Sequence, residues 1–401
     1  MVGSVEGTRH EPHRTNPKPV ITMRPSHHEP RRRATTKVLA TTFVICSIVL
    51  AACGPSGSVA SPSLVPSGSA ASDPPVASPA ASSPQQSAPA APSAPAPSPE
   101  TVNLQIREFD VPTGSRPHDV SPATDGGVWY TAQRTGVLGH LDPVTGEVRE
   151  IPLGAGSSPH GVITGPDGAP WVTDSGLNAI VRVDPDTGEV TRFPLPPDRP
   201  NANLNTAAFD PSGILWFTGP SGIYGRLDPA TGAIEVRNDP EGRGPYGITT
   251  AADGSVWYAS LAGSHIATVD PDSGAATIVE PPTSNQGARR VWADSAGRIW
   301  VSEWDAGQVA VHDPATGTWK EWRLPGGNPM AYAVFVDDGD VVWLTDFGAN
   351  AIVRFDPADE SFDSIELPSS NASVRQLHGR PGEVWGAESA VDKLVVVTNA
   401  G

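Results

Sequence analysis

Two Pro-His pairs, Pro117-His118 and Pro159-His160, occupy the same place in consecutive stretches of this chain, and the next three stretches carry Asn205, Tyr246 and Arg289 there. A position that only packed would be apolar and alike in every copy. This one is polar and changes each time. Histidine exchanges protons near neutral pH, so a pair of them can supply a general base, with a carboxylate beside the ring to support its basicity. Eleven residues further on each copy has a tryptophan, and three beyond that a second variable column reads Ala132, Asp174, Gly219, Ser260, Glu303, Asp346 and Glu388. Counted outward from the turn at Asp167, His160 and Asp174 are equidistant and should face each other on paired strands. By the same count Arg289 should face Glu303. In the sixth and seventh copies the register leaves Ala331 or Tyr332, then Val374 or Arg375. Either the two columns form a polar ligand pocket or they line a wet channel.

The elements that must hold these residues come from a repeat. Trp129, Trp171, Trp216, Trp257, Trp300, Trp343 and Trp385 recur every 41 to 45 residues, the period of a four-stranded propeller blade. Within one copy, Pro159–Thr164, Trp171–Asp174, Ala179–Val183 and Val190–Phe193 are short β-rich runs separated by Gly, Pro and Asp, which reads as four antiparallel strands with tight turns. The expected fold is all-β: a seven-bladed propeller over residues 101–401, with the variable columns at one rim of its channel. The last copy has room for only three strands, so Leu104–Val111 should supply its outermost one and close the ring.

Repeated residues carry fold rather than function. The tryptophans should pack between blades. The Asp-Pro-x-Thr/Ser-Gly segments starting at Asp142, Asp184, Asp228, Asp270 and Asp313, with a degenerate copy at Asp356, have too few carboxylates for calcium and read as turns. The top-face loops Pro196–Asn205 and Pro281–Gly287 should set the size of the pocket, and the first, the longest between blades, is the expected lid or specificity element.

The first hundred residues have another character. A basic stretch precedes the apolar run Val38–Ala52, which ends in Leu50-Ala51-Ala52-Cys53; this reads as an export signal over residues 1–53. Leu-Ala-Ala-Cys resembles a bacterial lipobox, so Cys53 is the expected lipidation site. Residues 54–100 are almost entirely Ser, Ala and Pro and should be a disordered tether. The protein would then sit on the extracytoplasmic face of the membrane through its lipid, or be secreted if unlipidated. A net charge of −17 argues against nucleic acid and anionic bilayers as partners. Cys46 and Cys53 both fall in the leader, leaving the propeller without a thiol. A monomer that takes a small molecule or peptide at its rim is the expectation.

The wording Pro159-His160-Gly161-Val162-Ile163-Thr164-Gly165-Pro166-Asp167-Gly168, with Pro245-Tyr246-Gly247-Ile248-Thr249, Trp216-Phe217-Thr218 and Trp300-Val301-Ser302-Glu303-Trp304, resembles that of the streptogramin (virginiamycin B) lyases throughout residues 102–401. Those enzymes are seven-bladed propellers that open cyclic depsipeptides by elimination, with Mg²⁺ at the channel rim. The resemblance implies a histidine base and a metal that polarises the substrate carbonyl; on this reading His160 is the base, His118 orients substrate or metal, the rim residues Asn205, Tyr246, Arg289 and Glu303 contact substrate, and Asp174 stands in the metal shell. In the family a glutamate precedes the second Pro-His pair and helps hold the metal; Ser158 stands there in this chain. A non-catalytic tethered binding or sensor propeller is the competing reading. A calcium-dependent lactonase is a third, and would need more acidic residues on the inner ring.

Overall fold

The structure, a computed structural model, describes residues 103–399. The export signal, Cys53 and the Ser/Ala/Pro-rich tether lie outside the described residues.

Seven four-stranded antiparallel sheets are present, six of them ordered sequentially from the channel outward and the seventh completed by the first strand of the chain. Blade two shows why the sequence folds this way. Its inner strands Pro159–Thr164 and Pro170–Asp174 are almost wholly buried, Ala179–Val183 alternates near its end, and the outer strand Val190–Pro194 is largely exposed. Apolar character therefore falls from the axis to the perimeter. Both faces of the inner strands must be covered by neighbouring sheets, which a ring achieves.

The tryptophans do pack between blades. Trp129 of blade one lies against Val162, Val172 and Val181 of blade two, and Trp171 against Leu204, Leu215 and Phe217 of blade three. Several indole N–H groups also donate to the acid of their own hairpin turn, Trp216 to Asp210 at 2.8 Å and Trp300 to Asp294 at 2.9 Å. The Asp-Pro-x-Thr-Gly segments are turns. Asp184 Oδ1 accepts from the amides of Asp186 and Thr187 and from the Thr187 hydroxyl, while Gly188 takes φ 75°.

The ring closes as its sequence indicated. Leu104–Asp110 pairs antiparallel with Lys393–Asn399 and is the outermost strand of blade seven. Lys393 Nζ reaches Glu108 at 2.9 Å, and Phe109 packs with Trp385, Val120 and Tyr130 in a core shared by blades seven and one. Asp392, just before the last strand, accepts from the amides of Gly114 and Arg116. Closure thus anchors the segment that leads into His118.

Candidate functional site

Six of the seven innermost strands contain a register shift where they reach the rim. A bulge places an extra residue on one strand and re-aims its side chain. In blade two the ladder passes from Pro159 opposite Asp174 to Gly161 opposite Thr173, so His160 is the residue left over. The expectation that His160 faces Asp174 is therefore corrected, because counting from the turn omits the bulge. Arg289 is displaced in the same way, with Ala288 opposite Glu303 and Arg290 opposite Ser302. The matching shifts after Ala331 and Val374 make Tyr332 and Arg375 the rim residues of blades six and seven. Blade six carries no extra residue; the turn of blade seven is one shorter.

Hydroxyls on the second strands lock the bulges and link the blades. Thr131 Oγ1 accepts from the Asp119 amide at 3.1 Å and donates to the His160 carbonyl at 2.7 Å. Thr173 Oγ1 does the same between the Gly161 amide and the Asn205 carbonyl, and Ser302 Oγ between the Arg290 amide and the Tyr332 carbonyl. Each rim side chain is thereby positioned by its neighbour.

The two histidine rings meet in a tilted contact. Their ring centroids are 3.8 Å apart at 46°, and both side chains are buried. His118 Nδ1 lies 2.7 Å from Asp119 Oδ1, and Asp119 also accepts from Arg290 Nη2 at 3.1 Å across the channel. No described residue hydrogen-bonds His118 Nε2. His160 differs: Nδ1 is 3.1 Å from the Asn205 carbonyl and Nε2 is 3.1 Å from Asn205 Nδ2, so both its nitrogens are engaged. Burial holds both rings well below the ordinary imidazole range, reinforced for His118 by Arg290, Arg375 and Arg289 and for His160 by His118. Both are neutral at pH 7, so each can accept a proton.

Opposite them runs an arc of arginines and phenols. Arg289 Nη2 donates to Tyr246 Oη at 3.1 Å, the Tyr246 and Tyr332 hydroxyls are 2.8 Å apart, and Arg375 Nη1 reaches Tyr332 Oη at 3.3 Å. The Arg289 guanidinium lies 3.6 Å from the Tyr332 ring centre. Burial would raise the Tyr332 hydroxyl, but Arg289, Arg290 and Arg375 outweigh it and lower it; burial and the neighbouring Tyr332 raise that of Tyr246.

The second column does not join the pocket. Asp174 Oδ1 accepts from the amides of Ser158, Gly176 and Leu177, and Oδ2 from the Ser157 hydroxyl at 2.5 Å. Asp346 holds Met330 and Gly348 likewise. Glu303 is fully buried and accepts only from Gln308. Asp174 and Asp346 thus tie down loops between strands, while Glu303 bonds only its cross-strand partner. Ser158 sits on that loop, its amide on Asp174 and its carbonyl on Ser175. The loop Pro196–Asn205 is also pinned, through Asn178 to Ala202 and Arg199, which suits a fixed wall better than a lid.

Magnesium requires a near-octahedral shell of oxygens. Among the described residues the one group of acid and imidazole donors close enough to share an ion is His118, Asp119 and His160, within 4.8 Å of one another. It offers two nitrogens and one carboxylate, and that carboxylate is already shared by Arg290 and His118. Both oxygens of Asp174 are hydrogen-bonded to its own loop, and it belongs to no such group. These donors do not fit a magnesium ion.

Residues 100–328 match the sequence profile of the virginiamycin B lyase family. The chain belongs to this family. Among solved structures, a streptogramin B lyase superposes with a TM-score of 0.68 at 24% identity, over 74% of this chain and 98% of the other. The virginiamycin B lyase of Staphylococcus aureus matches with the same TM-score at 22% identity, over 74% and 99%. A catalytically inactive histidine-to-alanine form of that enzyme, solved with quinupristin, aligns equally well. No curated protein matches this chain in sequence. At these identities the structural likeness speaks to fold.

In this virginiamycin B lyase family member the inner strands carry a further polar column that the sequence reading passed over. Directly after the rim residues come Asp119, Thr206, Arg290 and Gln376. Arg290 Nη1 donates to Thr206 Oγ1 at 2.7 Å, Thr206 to Asn205 Oδ1 at 2.8 Å, and Gln376 Oε1 accepts the Val120 amide at 2.9 Å. Together they cross the channel beneath the histidines. Below this layer lies a cavity of about 280 Å³ lined by residues including Thr164, Phe209, Thr250 and Trp292.

Proposed function

We propose that this protein is a carbon–oxygen lyase that opens an ester-linked cyclic peptide by elimination, with His118 as the base. One observation carries the assignment: Asp119 occupies Nδ1 of His118 while no described residue engages Nε2, whereas both nitrogens of His160 are bonded. Asp119 accepts the Nδ1 proton and so places the lone pair on Nε2, the tautomer a base needs. In the step, the bond from Cα to its hydrogen breaks and the proton passes to Nε2. A double bond forms between Cα and Cβ, and the Cβ–O bond breaks with its electron pair leaving on the ester carboxylate. His160 packs against His118 at a tilt and restricts its ring. The roles differ from the family expectation, in which the second histidine is the base.

The test is incubation of the full-length protein with a streptogramin B-type cyclic depsipeptide. Elimination gives a ring-opened product isomeric with its substrate, whereas hydrolysis adds one water. Ring opening without mass gain, abolished in His118→Ala, is the expected result. Turnover retained in that variant sinks the assignment.

Export rests on the leader. The run into Leu50-Ala51-Ala52-Cys53 supports a lipid-anchored protein outside the cytoplasm, carried on a Ser/Ala/Pro-rich tether. Labelled fatty acid should enter the wild type and be lost in Cys53→Ala. The second reading, a tethered propeller that binds a ligand without turning it over, is favoured by one feature alone, the arginine and aromatic arc opposite the histidines.

A further inference from the structure

We propose that this arc is a carboxylate site, taking an anion that carries an adjacent apolar or aromatic group, such as the carboxyl end of a peptide. The proposal deepens the lyase reading, because elimination releases a carboxylate, but it stands on separate residues. The chain as a whole is acidic, with a net charge of −17. Its rim is the reverse. Arg289, Arg290 and Arg375 gather there around one carboxylate, Asp119, which is taken by Arg290 and His118. Arg289 and Arg375 have no acid partner among the described residues. Arg289 donates to a phenol and Arg375 to a hydroxyl and a phenol. The Nε atoms of Arg289 and Arg290 are buried without an acceptor. Arg289 and Arg375 are half-buried without a counter-ion, and a bound anion would offset the partial desolvation of their charges.

The acids that might have balanced these charges are turned away. Asp174 and Asp346 hold loop amides, and burial pushes the carboxyls of Glu303 and Glu388 up to about 8, leaving them largely uncharged at neutral pH. The apolar half of the ligand would meet the half-buried Trp304 and Phe347, which flank the fully buried Tyr332 ring. Trp304, Tyr332 and Phe347 form one aromatic shelf, with Phe347 stacked on Tyr332 at 4.7 Å and Trp304 edge-on to both at 5.5 and 5.3 Å. Arg289 lies over Tyr332 and 4.9 Å from the Trp304 ring centre. Planar guanidinium groups beside aromatic faces suit bidentate recognition of a carboxylate with an apolar neighbour.

Isothermal titration of the full-length protein with N-acetyl-phenylalanine, and with its uncharged amide, tests this. The acid should bind at least about tenfold tighter than the amide, and Arg375→Gln should weaken the acid about tenfold with the amide unaffected. Arg375→Lys, which keeps the charge, should recover part of the loss and guard against misfolding; Lys320→Gln, on the far perimeter, should change nothing. Equal binding of acid and amide, no binding of either, or inorganic phosphate competing as well as the acid would each overturn the proposal. The lyase reading is separable: His118→Ala should lose elimination and keep the acid. Elimination without acid binding removes only the anion site.

Discussion

Arg290 and Asp119 are separated by 171 positions in the chain, yet their side chains meet at 3.1 Å across the channel, each almost wholly buried. The pair joins blade five to blade one and forms the layer on which the histidines rest. Asp119 serves two partners at once, so stability and the orientation of His118 are coupled through one carboxylate.

Removing one member of that pair should leave an uncompensated buried charge. Arg290→Met is expected to lower stability by about 3–5 kcal/mol, read as a shift in the urea midpoint. Asp119→Asn combined with Arg290→Met should recover part of it; strict additivity would mean the two do not interact.

Loss of the carboxylate should also disturb the base. Asp119→Asn, assayed well below its melting temperature, should reduce kcat for elimination by about 100-fold or more through loss of tautomer control. An unchanged kcat would show that His118 is not oriented by Asp119.

Stability should weaken as the medium is acidified, because two imidazoles are buried neutral. Their folded values lie well below 6.5 and the unfolded chain near it, so below about pH 6.5 the unfolded state binds more protons and stability falls with pH. His160→Asn should flatten the melting-temperature profile between pH 6.5 and 5.

The buried glutamates give the opposite slope. Burial raises Glu303 and Glu388 from 4.5 to about 8. The stability tied to their protonated forms is complete below about pH 4.5 and is lost as pH rises through 8. Glu303→Gln and Glu388→Gln should therefore stabilise at pH 9 by about 1–3 kcal/mol each and do little at pH 4, as differential scanning calorimetry would show.

Ring closure can be tested by deletion. Removing residues 102–112 strips the outermost strand of blade seven and exposes the core around Phe109 and Trp385. The melting temperature should drop by more than 10 °C, on the order of several kcal/mol at this size; an unchanged value would deny the strand its closing role.

Much of this was legible in the chain itself. The tryptophan period, the Gly, Pro and Asp punctuation and the spare strand at Leu104 to Val111 determined a seven-bladed closed propeller, because blade formation depends on hairpins local in sequence. The variable column at His118, His160, Asn205, Tyr246 and Arg289 was likewise visible, since a repeat exposes the positions that depart from it. Which partners those side chains take was decided by the tertiary structure. A bulge on the inner strands moved His160 away from Asp174 and Arg289 away from Glu303, and nothing in the spacing records a bulge. The neighbouring column of Asp119, Thr206, Arg290 and Gln376 was a signal open to reading, being polar where Gly161, Gly247 and Ala333 are not. Its meaning still required the ring, because only closure of seven sheets about one axis brings blade one opposite blade five.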